Sequence, residues 1–207
     1  VPAVNYYVEL SMRMDGHGED IELSTYLPKS DTRQRVRDER NVSGRLALSV
    51  EGDGDNRRAV WKGEGIAGQH TVLYGYSVQT QHVRYELASG LDIPASYPAE
   101  LQPYLQATDG IQVNDPLIDK TLRAILAGTQ TDVRSVLTAI HRHLQDKYKN
   151  RNFSGYTDAL TALKLGEASC NGKSRLFAAF ARKLNLPARL VGGVILERGT
   201  KRTSHQW

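Results

Sequence analysis

The side chain best placed for nucleophilic chemistry in this 207-residue chain is its single cysteine, Cys170, in the run Gly166-Glu167-Ala168-Ser169-Cys170-Asn171-Gly172-Lys173-Ser174-Arg175. Downstream, Leu176, Phe177, Phe180, Ala181 and Leu184 recur at helical spacing, and Asn185 before Leu186-Pro187 supplies a left-handed stop. The spacing predicts a buried helix with Cys170 in its first turn. Unpaired amides and the positive end of the helix dipole there favour a thiolate nucleophile, and Lys173 and Arg175 are expected to act in the same direction. The amides at this terminus, those of Cys170 and Asn171, are placed to hydrogen-bond an oxyanion as a carbonyl is attacked.

A lone cysteine is as a rule a small buried hydrophobe, and its position alone favours that reading. The residues after the helix shift the balance. Residues 188 to 197 form a nearly continuous apolar run typical of a central strand, 198 to 202 read as a polar hairpin loop, and Ser204-His205-Gln206-Trp207 starts a returning strand. An antiparallel return brings His205 over the helix that carries Cys170, where a neutral imidazole can take the thiol proton and pass it to a leaving amine. The sulfur and the imidazole are then expected about 3 to 5 Å apart. Leu176, Phe177, Phe180, Leu190, Val194 and Leu196 are expected to share one core.

The elements that must hold this pair fall into two groups. Up to about residue 92 the sequence alternates: Val8, Leu10, Met12 and Met14 on one face, a turn at Asp15-Gly16-His17-Gly18, then Ile21 and Leu23. Leu46, Leu48 and Val50 run into a second turn at 52–55. Val72, Tyr74, Tyr76 and Val78 alternate again, as do Val83, Tyr85 and Leu87. Six or seven short strands at this spacing suggest a β-sandwich over 1–92, with the charged stretch 29–41 as a long surface loop. Pro94, Pro98, Pro103 and Pro116 mark 93–116 as a linker. Asp115-Pro116 reads as the cap and first residue of a helix with Ile118, Leu122, Ile125 and Leu126 inside, ending near Gly128. A second helix from Asp132 to Tyr148 buries Val133, Val136, Leu137, Ile140 and Leu144.

Composition excludes several classes of function. A hydrophobic fraction of 40% supports a core, and a mean hydropathy of −0.47 with no long apolar run leaves no membrane-spanning segment within these residues. The net charge of +4 is split: residues 131–207 carry 14 Lys+Arg against 5 Asp+Glu, and the rest carries 13 against 18. The basic charges are scattered along helices with few interleaved aromatics, so they read as solvated faces and not as a nucleic-acid site. One cysteine forms no intramolecular disulfide and no cysteine zinc site. His141 and His143 are two positions apart on a helix and cannot share an ion, and His17, His70 and His82 suggest no function, so no metal or cofactor is expected. The start, Val1-Pro2-Ala3, lacks a Met or a signal sequence and points to a mature or excised form.

From about residue 101 the sequence resembles the transglutaminase-like branch of the papain-like superfamily. The likeness rests on Gly-x-x-x-Cys-Asn-Gly-x-Ser-x-x-Phe, on Leu186-Pro187-Ala188-Arg189-Leu190-Val191-Gly192-Gly193, and on His205-Gln206-Trp207, in that order and spacing. It implies Cys170 as nucleophile and His205 as base, with an orienting Asp about a dozen to twenty residues past the histidine. That position lies after Trp207, so the triad and the core are expected to be incomplete at the C-terminal side. Ser169, before the nucleophile, departs from the usual family residue; Asn152 and Tyr156 are candidates for the upstream oxyanion donor.

The N-terminal strands resemble bacterial extracytoplasmic proteins in which a β-sandwich precedes such a domain. Some of these continue into several transmembrane helices, and part of that group has lost its catalytic residues; this chain keeps Cys170 and His205. The expected fold is therefore α+β: a sandwich over 1–92, a linker over 93–116 and a truncated papain-like transglutaminase core over 117–207. The expected function is that of a cysteine peptidase or amidase on peptide or carboxamide bonds, with transamidation second. The rival is a non-catalytic module that binds a peptide or a cell-wall stem. The missing natural start, the sandwich and a cysteine with no second thiol to trap it favour the periplasm or cell surface, with a membrane tether outside these residues. The partner is then a peptide or protein substrate and not nucleic acid; the sequence does not set the oligomeric state.

Overall fold

The computed structural model describes residues 3–52, 56–151 and 157–196. Its fold is α+β, and the described residues divide into two compact units, one made of those up to residue 85 with 193–196 and the other of those between 86 and 192.

The first unit is one antiparallel sheet. β1 (Val4–Tyr26) pairs along its whole length with β4 (Arg58–Thr80), from Val4 opposite Thr80 to Tyr26 opposite Arg58. The other edge of β4 is shared: β2 (Gln34–Val42) lies along its second half and β3 (Ala47–Glu51) along its first. Trp61 and Tyr74 of β4 meet edge to face with centroids 6.0 Å apart. Thirteen residues of straight strand would separate them by about 40 Å, so the sheet doubles back and its two halves enclose one core. Ala59 and Trp61 come from one half, Val72, Tyr74, Tyr76 and Val78 from the other, with Leu27 and Leu46 between.

The layered packing expected of a sandwich is thus made by one sheet of four strands among the described residues, in place of two sheets of six or seven short ones. The expected hairpin turn at residues 15–18 is part of β1, whose register shifts at His17/Glu19 and Glu19/Ile21. Bulges bend a strand and strengthen its twist, which is what doubling back requires. Gly16 sits where a Cβ would lie 2.3 Å from the carbonyl oxygen of Ile66, so its lack of a side chain serves close approach at the bend. The expected loop at 29–41 contains most of β2 instead: Gln34 and Val36 face inward while Arg35 and Arg37 face water, an alternation that the density of charge obscures. Val83, Tyr85 and Leu87 belong to no strand.

The second unit is built on four helices: α1 (Pro116–Leu126), α2 (Val133–Lys147), α3 (Ala159–Leu165) and α4 (Cys170–Lys183). Each begins on a side-chain cap. Asp115 accepts from the Leu117 amide, Asp132 from Ser135, Asp158 from Thr161 and Ser169 from Gly172. Ile118, Leu122, Ile140, Leu144, Leu176 and Phe180 form the shared core, so α4 is buried by α1 and α2 as its spacing predicts. Asn185 at φ 60 makes the left-handed stop. Residues 93–116 belong to this unit, with a 3-10 turn at Ala99–Leu105 and with Ile111 and Val113 buried in the helical core.

The run after α4 is a correction. Residues 187–196 form no strand, and Val191, Val194 and Ile195 are 65%, 70% and 68% exposed. A buried strand needs a ladder on each edge and cover on each face, and the described residues supply neither here. Leu190 and Val194 therefore do not join Leu176 and Phe180, and Leu196 packs on the core of the sheet unit.

Candidate functional site

The start of α4 is held by three neighbours. α2 ends at Tyr148, and the next residues form β5 (Lys149–Asn150), which pairs in parallel with β6 (Glu167–Ala168). The Lys149 amide donates to Gly166 O and the Arg151 amide to Ala168 O, while Arg151 Nη1 meets Glu167 Oε2 at 2.7 Å. β6 ends directly before the cap Ser169, so this short bridge sets where the helix begins. Thr157 is the third neighbour. A Cβ at Gly172 would lie 3.1 Å from Ala168 Cβ and 3.1 Å from Thr157 Cγ2, so the missing side chain lets the first turn close onto Thr157.

Cys170 is exposed at this terminus, with Sγ 3.9 Å from Asn171 Oδ1. Ser169 Oγ takes the Gly172 amide and Ser169 O takes the Lys173 amide. The amides of Cys170 and Asn171 precede these capping bonds and stay at the open end, where helix geometry leaves donors without intrahelical partners. The arrangement can therefore present a thiol and backbone donors to one carbonyl group. His205, Asn152 and Tyr156 lie outside the described residues, and so does the expected approach of His205 to Cys170.

Lys173 and Arg175 also have a structural part at this terminus. Lys173 Nζ donates to Tyr148 O and to Asn150 Oδ1, each at 2.6 Å, and Arg175 Nη1 donates to Thr157 O at 2.9 Å. Both cations are engaged in tying neighbouring segments to α4. The signal for Lys173 is legible in retrospect: a lysine in a first turn opposes the helix dipole, so it needs a local partner. His143 packs edge to face on Tyr148 at 5.8 Å, and burial pushes its imidazole below its ordinary value. Among the described residues, no group of three or more His, Cys, Asp or Glu side chains is placed to hold a metal ion.

The folded architecture and the capped cysteine helix define an α+β protein of the transglutaminase-like kind. The chain belongs to the transglutaminase-like superfamily, whose family model matches residues 119–207, and within it to the family described as "Inactive transglutaminase fused to 7 transmembrane helices", matched over residues 3–153. The first match contains Cys170 and the second ends before it. No curated protein matches the chain. A crystal structure described as a "Putative Cysteine Protease from Cytophaga hutchinsonii" shares the fold, with a TM-score of 0.63 and 16% identity over 90% of this chain. The match spans 66% of that longer chain. No helix among the described residues is long and apolar enough to cross a membrane.

Proposed function

We propose that this chain performs thiol acyl chemistry on peptide or carboxamide bonds, with hydrolysis ahead of transamidation. The observation that carries the reading is the exposed Cys170 thiol on the first turn of a capped helix, beside amides that the cap leaves free. In the proposed reaction Sγ bonds to the carbonyl carbon and its proton passes to the His205 imidazole. The carbonyl oxygen gains the charge and is met by the amides of Cys170 and Asn171. Collapse breaks the carbon–nitrogen bond, the imidazole returns the proton to the leaving amine, and a thioester remains. Water then gives a carboxylate, or a second amine gives a new amide, and the thiol is restored. Asn152 and Tyr156 stay as candidates for a further oxyanion donor. The family description supports a setting beside a membrane, and we place the chain on its extracytoplasmic side.

A second reading has its own support. The matched family is described as inactive, and a chain of that kind would use the same surface to bind a peptide or a cell-wall stem without cleaving it. Alkylation separates the two. Under the catalytic reading iodoacetamide labels Cys170 at about pH 6, and His205→Ala slows labelling about ten-fold. A thiol that labels no faster than free cysteine, with no effect of His205→Ala, favours the binding module.

A further inference from the structure

The face of the sheet turned away from the core carries a shallow depression that the acyl chemistry does not use. It is lined by Asn5, Tyr6 and Tyr7 of β1, Arg37 and Asp38 of β2, and Ser77 and Val78 of β4. Tyr7 is 62% exposed and lies across β4 onto Gly75: a Cβ at Gly75 would come within 2.3 Å of the Tyr7 hydroxyl oxygen. The glycine lets the phenol ring lie low over the strand, which turns one aromatic face towards solvent. Asp38 is brought to the rim by a bulge, since the register of β2 shifts between Arg37 and Arg40 and Asp38 takes φ 55. The next residue, Glu39, instead bonds Arg57 and Tyr74. A bulge of this kind re-aims a side chain that regular pairing would direct elsewhere. Among the described residues, the side chains of Asn5, Arg37, Asp38 and Ser77 show no hydrogen bond or ion pair.

We propose that this depression around Tyr7 is a binding site for a neutral oligosaccharide. A pyranose ring has a face of C–H groups that stacks on an aromatic ring, and equatorial hydroxyls that need donors and acceptors together. Arg37 donates, Asp38 accepts, and Asn5 and Ser77 do both. Arg37 and Asp38 cancel within the depression, and Glu9 and Arg40, which face each other across Gly75, cancel in the row on one side; in the row on the other side Arg35, across Gln79 from Asn5, adds a further donor. An anionic polysaccharide would meet the Asp38 carboxylate, whereas a neutral glycan meets both signs as hydrogen-bonding groups.

The test is titration of the full chain with laminarihexaose and chitohexaose, two neutral hexasaccharides, and with hexagalacturonate as the anionic counterpart. At least one neutral hexasaccharide is expected to bind with a Kd of about 1 mM or tighter, and more tightly than hexagalacturonate. Tyr7→Ala is expected to weaken binding about ten-fold while Tyr7→Phe keeps it within about two-fold. Arg37→Ala and Asp38→Gly are each expected to weaken it about three-fold; glycine takes the positive φ at 38 freely, so that variant removes only the carboxylate. The proposal is overturned if neither neutral sugar binds at about 10 mM, if hexagalacturonate binds more tightly, or if Arg37→Ala and Asp38→Gly both bind like the parent.

Discussion

Lys173, on the first turn of α4, donates from Nζ to the carbonyl oxygen of Tyr148 at 2.6 Å and so fastens the helix that begins at Cys170 to the end of α2. The same ammonium holds Asn150 Oδ1, one residue short of the amide that bonds Ala168. A cation at the end of α2 also sits well in the field of that helix, which offsets its unfavourable place at the start of α4.

Lys173→Met removes two charge-assisted bonds that are partly screened by water, and it is expected to cost about 1–2 kcal/mol. Thermal denaturation should show a midpoint about 4 °C lower. Lys173→Arg should recover part of the loss, because guanidinium keeps the charge but differs in shape. An unchanged midpoint in the Met variant would mean that water replaces both bonds at no cost.

One hydrogen-bonded pair should contribute to the pH dependence of the sheet unit at both ends of the range. Burial and the hydrogen bond to Glu39 push the Tyr74 hydroxyl up to about 12. Burial alone would raise Glu39, but hydrogen bonds from Arg57 and Tyr74 and the charge of Arg57 outweigh it and hold the carboxylate below its ordinary 4.5. Between 10 and about 12 the unfolded tyrosine has lost its proton and the folded one has not, so stability from Tyr74 falls as pH rises through that window. Stability from Glu39 is present above 4.5 and is lost as pH falls through the lower folded value. Tm measured against pH should have a flatter alkaline limb in Tyr74→Phe, the remainder coming from groups such as Tyr76, and a flatter acid limb in Glu39→Gln. Curves that superpose on the parent at both ends would refute the assignment.

Arg182 is buried on α4 and bonds only neutral oxygens among the described residues: Ala188 O at 2.7 and 3.0 Å, Gln106 O at 2.6 Å and Thr108 Oγ1 at 3.1 Å. Its fork thereby joins the 3-10 segment and the start of the apolar run to the helix. Arg182→Met should cost about 3 kcal/mol in a denaturant titration, because it leaves buried carbonyls without donors. Arg182→Lys should recover less than half, since an ammonium cannot match the four bonds the fork makes to both segments. Full recovery by lysine would show that charge, and not the shape of the fork, holds the segments.

Two kinds of information separate in this chain. Local chemistry was legible without coordinates: Asp115 caps the helix it precedes, the second helix starts at Asp132, Asn185 ends α4, and the spacing of Leu176 and Phe180 buries that helix, because caps and periodicity act within a few residues. The first-turn position of Cys170 comes from the same signals. Non-local pairing was not legible. Glycines at 16 and 18 suit a turn or a bent strand equally, and only the partner strand, with Ile66 against Gly16, decides for the bend. The charges of β2 hid its alternation because an outward face tolerates any polar residue. The apolar run at 188–196 reads as a central strand, yet a strand is defined by its neighbours, and the described residues place none beside it. The acceptors of Lys173 were likewise not legible: Tyr148 and Asn150 come within its reach only through the fold, since a long flexible side chain goes to whichever acceptors tertiary packing presents.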